Sequence, residues 1–148
     1  MFIKNKKAYF NYTIRDSIEA GICLIGCEVK SIRNGHMTIH ESYIRIKDNE
    51  IYLVNANILP YEQGNRQNLS PNRDRKLLLH RRQINKIIEQ LERHGLSAIP
   101  TKVYLKKRRV KIKIGIGSPK KTFDKRANIK DRELKRSLDR SFKNRNLS

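Results

Sequence analysis

Hydrophobic and polar positions alternate along much of this chain. Between Tyr9 and Gly26 the residues Tyr12, Ile14, Ile18, Ala20, Ile22 and Leu24 fall mostly on one parity. That period of two predicts half-buried strands, here two antiparallel ones with a polar connection near Arg15–Ser17. Past Gly26, Val29 and Ile32 stand three apart and Gly35 can supply a left-handed cap, so one or two helical turns follow. Residues 39–46 and 50–57 read as a hairpin around Asp48-Asn49, a pair suited to positive φ, and Pro60 ends it. The stretch 61–75 lacks periodicity and is rich in Asn, Arg, Gly and Pro, which predicts a long loop.

A change of period marks the next element. In residues 77–94, Ile84, Ile87, Ile88 and Leu91 follow the i, i+3, i+4, i+7 spacing of a helix, and Gly95 closes it. Alternation then returns in strands 98–105 and 110–116, joined by Lys106-Lys107-Arg108-Arg109. In the second of these, Val110, Ile112, Ile114 and Ile116 interleave with Lys111, Lys113 and Gly115, giving a core side and a cationic side. Short antiparallel strands with one or two inserted helices predict a mainly β chain with a small, partly open barrel of oligonucleotide-binding type over residues 9–117. Residues 1–8 read as a basic arm with little to anchor it.

Residues 118–148 break the alternation altogether. They hold eleven Lys or Arg against four Asp or Glu, and Leu134, Leu138 and Phe142 make one thin helical stripe. Ordering each residue costs about 1–2 kcal/mol of backbone entropy, which so narrow a stripe cannot offset. No Pro or Gly interrupts residues 120–148, and good helix formers dominate. The expectation is a basic tail that is disordered alone and helical against an acidic surface. The whole chain of 148 residues carries a net charge of +20, and the part before the tail still carries +13. Dispersed cations on a folded body favour nucleic acid, because phosphate binding releases counterions. Trp is absent, the chain has no secretory segment or apolar run near 18 residues, and Cys23 and Cys27 are the only cysteines. These features point to a soluble, reduced, cytoplasmic protein that binds no membrane.

Tyr104 and Tyr52 are candidate stacking platforms beside the cationic strand. Other chemistry fits less well. GIGSPKKT (Gly115–Thr122) differs from a phosphate loop by Lys120 in place of the second glycine, and Pro119 removes a donor, so it reads as a hinge between barrel and tail. Cys23, Cys27, His36 and His40 approach zinc-finger spacing, yet leave no room for a finger helix. Cys23 reads instead as a small core residue within a strand, and Cys27 as a surface thiol. Nothing orders His36, His40, His80 or His94 into a base–orienter pair, so no enzyme, metal or cofactor is expected. Phe123 followed by Asp124-Lys125-Arg126 is both a helix start and an aromatic, mixed-charge cluster where the tail departs.

The segments NKKAYFNY, EAG (Glu19–Gly21), GCEVKSIRNG (Gly26–Gly35), ESYIRI, PYEQGN, RKLLLH (Arg75–His80), KIKIG (Lys111–Gly115) and KK-x2-DKR (Lys120–Arg126) occur in this order. In that combination, from about Asn5 to Lys143, the chain resembles the SmpB family of SsrA-binding proteins. The resemblance implies a tmRNA-binding adaptor of trans-translation that acts on ribosomes stalled without a stop codon. A barrel would grip the tRNA-like part of tmRNA and replace the missing anticodon arm. The tail would turn helical in the empty mRNA channel, starting at the decoding centre. Elongation factor Tu and alanyl-tRNA synthetase would act on the same RNA, and the protein itself is expected to be a monomer.

By the same resemblance Glu19, Leu78 and Lys111 match positions needed for tmRNA binding; Lys113 on the cationic strand and Lys6 and Lys7 in the basic arm are further candidate contacts. Phe123, Asp124, Lys125 and Arg126, followed by Lys130 and Arg132, match the tail that the ribosome must accept. The chain departs from the family at Cys27, at Ser118-Pro119, where a stiffer exit from the barrel is expected, and at Ala127-Asn128, which dilute the charge after the motif. The alternatives are a structural ribosomal protein with a basic extension and a small ribonuclease.

Overall fold

The computed structural model describes residues 2–61 and 70–146, with the side chains of 122–124 and 144–146 left aside. The elements run β1 (Phe2–Lys4), α1 (Lys6–Asn11), β2 (Tyr12–Ile22), α2 (Gly26–Arg33), β3 (Met37–Thr38), β4 (Tyr43–Lys47), β5 (Glu50–Val54), β6 (Asn57–Ile58), β7 (Arg75–Leu78), α3 (Arg81–Glu92), β8 (Ser97–Lys106), β9 (Arg109–Pro119) and α4 (Thr122–Asn146). Seven strands form one sheet in the order β1-β8-β9-β2-β7-β5-β4, every pair antiparallel. The sheet curls until β4 lies beside β8, and α3 plugs the interior with Ile84 and Ile87. The expected mainly β, oligonucleotide-binding type of barrel is the architecture found. Its core is an aliphatic cluster in which Ile51, Leu53, Ile112, Ile114 and Ile116 are fully buried.

Two-residue turns set the register of both long hairpins. Asp48 and Asn49 take φ of 52° and 58°, pairing Lys47 with Glu50. Lys107 and Arg108 take φ of 49° and 66°, pairing Lys106 with Arg109. Asp and Asn tolerate this left-handed geometry, whereas Lys and Arg adopt it at a cost of about 1–2 kcal/mol each.

Several expectations from the sequence are corrected. The stretch read as two strands is one, β2, in which Arg15 is an extra residue bulged between the Ile14 and Asp16 pairings. The N-terminal arm is anchored: β1 pairs with β8, and Asn5 is 1% exposed. The Asn5 side chain donates to the carbonyls of Ile39 (3.2 Å) and Pro100 (2.9 Å) and accepts from the Ala8 N–H, which caps α1. The helix expected from residue 77 starts at Arg81, because Arg75–Leu78 is strand β7. Cys23 lies just past β2 and is exposed, so it is no core residue. Ser118 and Pro119 belong to β9, paired with Thr13 and Tyr12, and are not a hinge. Gly117 must be glycine there, since a Cβ would fall 1.9 Å from the Thr13 carbonyl oxygen.

The loop before β7 is gathered by one buried arginine. Arg75 is fully buried and donates from Nε to Glu28 Oε2 (2.8 Å), from Nη1 to the carbonyls of Ala56 (2.8 Å) and Arg73 (3.1 Å), and from Nη2 to that of Pro71 (3.0 Å). Nη2 also reaches Glu28 Oε2 at 2.7 Å, and Arg73 pairs with the other carboxylate oxygen. Burial pushes the Glu28 carboxyl up, but hydrogen bonds from Arg73, Arg75 and the Ile25 N–H outweigh it and leave it below its ordinary value of 4.5. The contribution is therefore present above pH 4.5 and lost as pH falls through the lowered pKa. Glu28→Gln should lower stability by about 3–5 kcal/mol, because it leaves the Arg75 charge buried alone. Urea unfolding from pH 7 to 3 checks this, with a flatter acid dependence expected in the variant than in the parent chain.

Candidate nucleic-acid interface

Glu19, Leu78 and Lys111 are far apart in sequence, and the antiparallel ladder brings them together. Gly21 on β2 faces Lys111 on β9 and Leu78 on β7, and Glu19 lies two residues away on the same face. A Cβ at Gly21 would stand 3.2 Å from the Leu78 Cβ, so the bare backbone lets Leu78 close over the strand. The three residues line an open groove of 610 Å³ together with Ser17, His80 and Gln83. A second depression of 420 Å³ shares Gly21, Leu78 and Lys111, and continues to Leu24, Arg108 and Arg109. Leu78 is 52% exposed, which removes it from the core and makes it a surface contact.

The charges are arranged around Glu19. Its carboxylate accepts from the Tyr104 hydroxyl and from Lys106 Nζ (3.4 Å). The Tyr104 hydrogen bond, with the charges of Lys106 and Lys111, outweighs burial and holds the carboxyl below its ordinary value. Burial, then the Glu19 carboxylate, push the Tyr104 phenol up to about 12. At neutral pH the face thus presents an ionised acceptor, a protonated phenol and lysine ammonium groups. A carboxylate can accept from ribose or base donors, and lysine pairs with phosphate.

The other expected contacts fall elsewhere. Lys113 stands opposite Glu19 across the β2–β9 ladder. Lys6 and Lys7 lie on α1, away from the groove, where Lys7 pairs with Glu41. Tyr52 sits on β5 in register with Arg45 and Lys76, on the other half of the sheet from Tyr104. Phe123 and Asp124 begin α4, their side chains being outside the described ones, and Lys125, Arg126 and Lys130 follow on the same helix. Arg132 places its guanidinium 5.9 Å from the Phe10 ring of α1. The tail's exit is clamped by Lys120, whose N–H donates to the Asn11 carbonyl (2.8 Å) and whose Nζ donates to that of Tyr9 (2.9 Å). The backbone of Gly115–Pro119 is committed to β2 and cannot cradle a phosphate. His80 and Gln83 are groove residues that sequence reasoning missed. The signal for His80 was the segment RKLLLH, which a helix assigned from residue 77 concealed; Gln83 follows on the first turn of α3 and had none.

Among the described residues no helix is long and apolar enough to cross a membrane, and no three His, Cys, Asp or Glu side chains converge as metal ligands. Fold and groove together define a small, basic β-barrel of the oligonucleotide-binding type, with a cationic and aromatic face. The family model described as SmpB protein matches residues 2–144. The chain belongs to the SmpB family. It is 47% identical over 139 residues to the SsrA-binding protein of Desulfitobacterium hafniense (strain DSM 10664 / DCB-2), covering 94% of this chain and 89% of that one. Identity is also 47% over 144 residues to the SsrA-binding protein of Caldanaerobacter subterraneus subsp. tengcongensis, covering 97% and 91%. Among solved structures it is similar to a chain from "tmRNA-SmpB: a journey to the center of the bacterial ribosome", with a TM-score of 0.68 and 39% identity over 82% of this chain and 85% of that chain.

Glu19→Gln should bring the Tyr104 phenol down from about 12 toward 10, since the negative charge that resists its ionisation is gone. A pH titration by NMR of the ring-labelled tyrosines checks this. A Tyr104 resonance that titrates unchanged would show that burial alone raises it.

Proposed function

We propose that this protein is a tmRNA-binding adaptor of trans-translation with no chemistry of its own. The observation that carries the reading is the convergence of Glu19, Leu78 and Lys111 in one groove on a basic barrel. The barrel grips the tRNA-like part of tmRNA and stands in for its anticodon arm. Lys111 pairs with phosphate, Glu19 accepts from ribose or base groups, and Leu78 shapes the contact. The tail enters the empty mRNA channel of a stalled ribosome from the decoding centre. Its exposed Leu134, Leu138 and Phe142 supply a stripe that needs a partner surface. Elongation factor Tu and alanyl-tRNA synthetase act on the shared RNA, and the protein works as a cytoplasmic monomer.

The first test is binding to the tRNA-like part of tmRNA at physiological salt, with ordinary tRNA as competitor. Strong preference for tmRNA supports the adaptor, whereas equal binding would favour a general ribosomal RNA binder. Lys111→Ala should weaken binding and reduce the salt slope by about 0.7–0.9, as loss of one phosphate contact requires. Deleting residues 120–148 should leave tmRNA affinity largely intact and abolish tagging of stalled products. Affinity that collapses on this deletion would overturn the division between barrel and tail.

A further inference from the structure

The groove residues belong to a larger pattern on the outer face of the sheet. Register sets Phe2, Tyr104, Lys111 and Gly21 in one row across β1, β8, β9 and β2. The next row is Lys4, Lys102, Lys113 and Glu19. Directly opposed residues share a face, and the residues between them, such as Val103 and Ile112, point into the core. Neighbouring strands lie about 4.8 Å apart, so the two rows run about 15 Å from the groove to the sheet edge.

The composition of these rows is that of a nucleic-acid platform. Phe2 is 60% exposed. The Lys102 ammonium sits 4.6 Å from the Phe2 centroid and 5.4 Å from that of Tyr104. Among the described residues, Lys4, Lys102 and Lys113 pair with no carboxylate, whereas Lys106 is tied to Glu19. Lysine on an edge strand protects against sheet-to-sheet pairing, which accounts for Lys4 on β1. It does not account for Lys102 and Lys113, since β8 and β9 are paired on both sides. Nor does it account for an exposed phenyl ring in the same row.

We infer that the two rows carry a single-stranded segment of the bound RNA outward from the groove to β1. Its bases stack on Tyr104 and Phe2, and its phosphates pair with Lys113, Lys102 and Lys4. The rings hold the Lys102 ammonium against the sheet until a phosphate takes it, leaving ring faces for bases. Base stacking on an aromatic ring outweighs an exposed cation–π contact, so the exchange favours binding. This rests on the adaptor reading and extends its RNA-binding face by Phe2, Lys4 and Lys102.

The test uses the full chain and the tRNA-like part of tmRNA, in a salt titration of Phe2→Ala, Phe2→Leu, Lys102→Gln and Lys111→Ala. Both Phe2 variants should weaken binding about tenfold, because leucine keeps an apolar edge but cannot stack. Lys102→Gln should lower the salt slope by about 0.7. Thermal unfolding of Phe2→Leu at the parent midpoint shows that the sheet edge is intact. If Lys111→Ala weakens binding while the Phe2 and Lys102 variants match the parent, the extended track is overturned and the groove stands. If all four bind like the parent, the adaptor reading of the groove is overturned as well.

Discussion

The Arg75–Glu28 pair is the constraint on which the rest of the molecule depends. A buried guanidinium is tolerated only when its charge is matched and its donors are engaged, and here all three nitrogens of Arg75 are engaged. Its acceptors come from α2, from the end of β5's connection at Ala56, and from the loop at Pro71 and Arg73. One side chain therefore fixes the residue at which β7 begins. Because side chains alternate along a strand, that choice also decides that Leu77 enters the core and Leu78 faces the groove. A slip of one residue would bury Leu78, present Leu77, and take Arg75 away from Glu28. The candidate interface is thus specified by an interaction on the opposite face of the same four-residue strand.

Gly21 on β2 and Gly117 on β9 act in the same geometric way. Gly21 allows Leu78 to approach the strand beside it, and Gly117 allows β9 to pass against the Thr13 carbonyl. The first shapes the groove. The second continues β9 to Pro119, so that Lys120 can clamp the tail's exit to the end of α1. The site and the exit of the tail are held by one rigid ladder, since β2 and β9 pair along nearly their whole length.

Alternation and turn chemistry made much of the barrel legible in the sequence. The hairpin around Asp48-Asn49, the helix capped by Gly35 and the last two strands stand close to where the pattern puts them. What escaped was set by distant partners. β1 is three residues long and carries no pattern of its own; its order comes from pairing with β8 and from Asn5 reaching carbonyls 34 and 95 positions away. β7 was hidden because Leu77 and Leu78 merge with the helical period that follows. Lys111 showed in the alternation of the last strand, whereas Glu19 and Leu78 were nameable only through family resemblance, since no spacing in the chain reveals that a ladder will gather the three. Residues 62–69, expected to form part of a long loop, lie outside the described residues.

The scarce acids divide the cations into two populations. Among the described residues, Arg73, Arg75, Lys86, Arg81, Lys7, Arg93 and Lys106 have carboxylate partners. Most of these pairs join elements: Glu28 joins α2 to β7, Asp16 joins β2 to α3, Glu50 joins β5 to α3, and Glu41 joins the segment before β4 to α1. Among the described residues, the lysines without a carboxylate partner include Lys4, Lys102, Lys111 and Lys113 on the outer face of β1, β8 and β9. On this paired, rigid face these four lysines repel one another in the unbound protein, a repulsion that a polyanion would relieve. Glu19 is the exception that fits: it stands within that face, and it orients Tyr104 and Lys106 without neutralising the row beside it. A polyanion approaching this face therefore meets unpaired lysines set against one oriented acceptor, an arrangement that attracts phosphate generally while reserving a place for a donor.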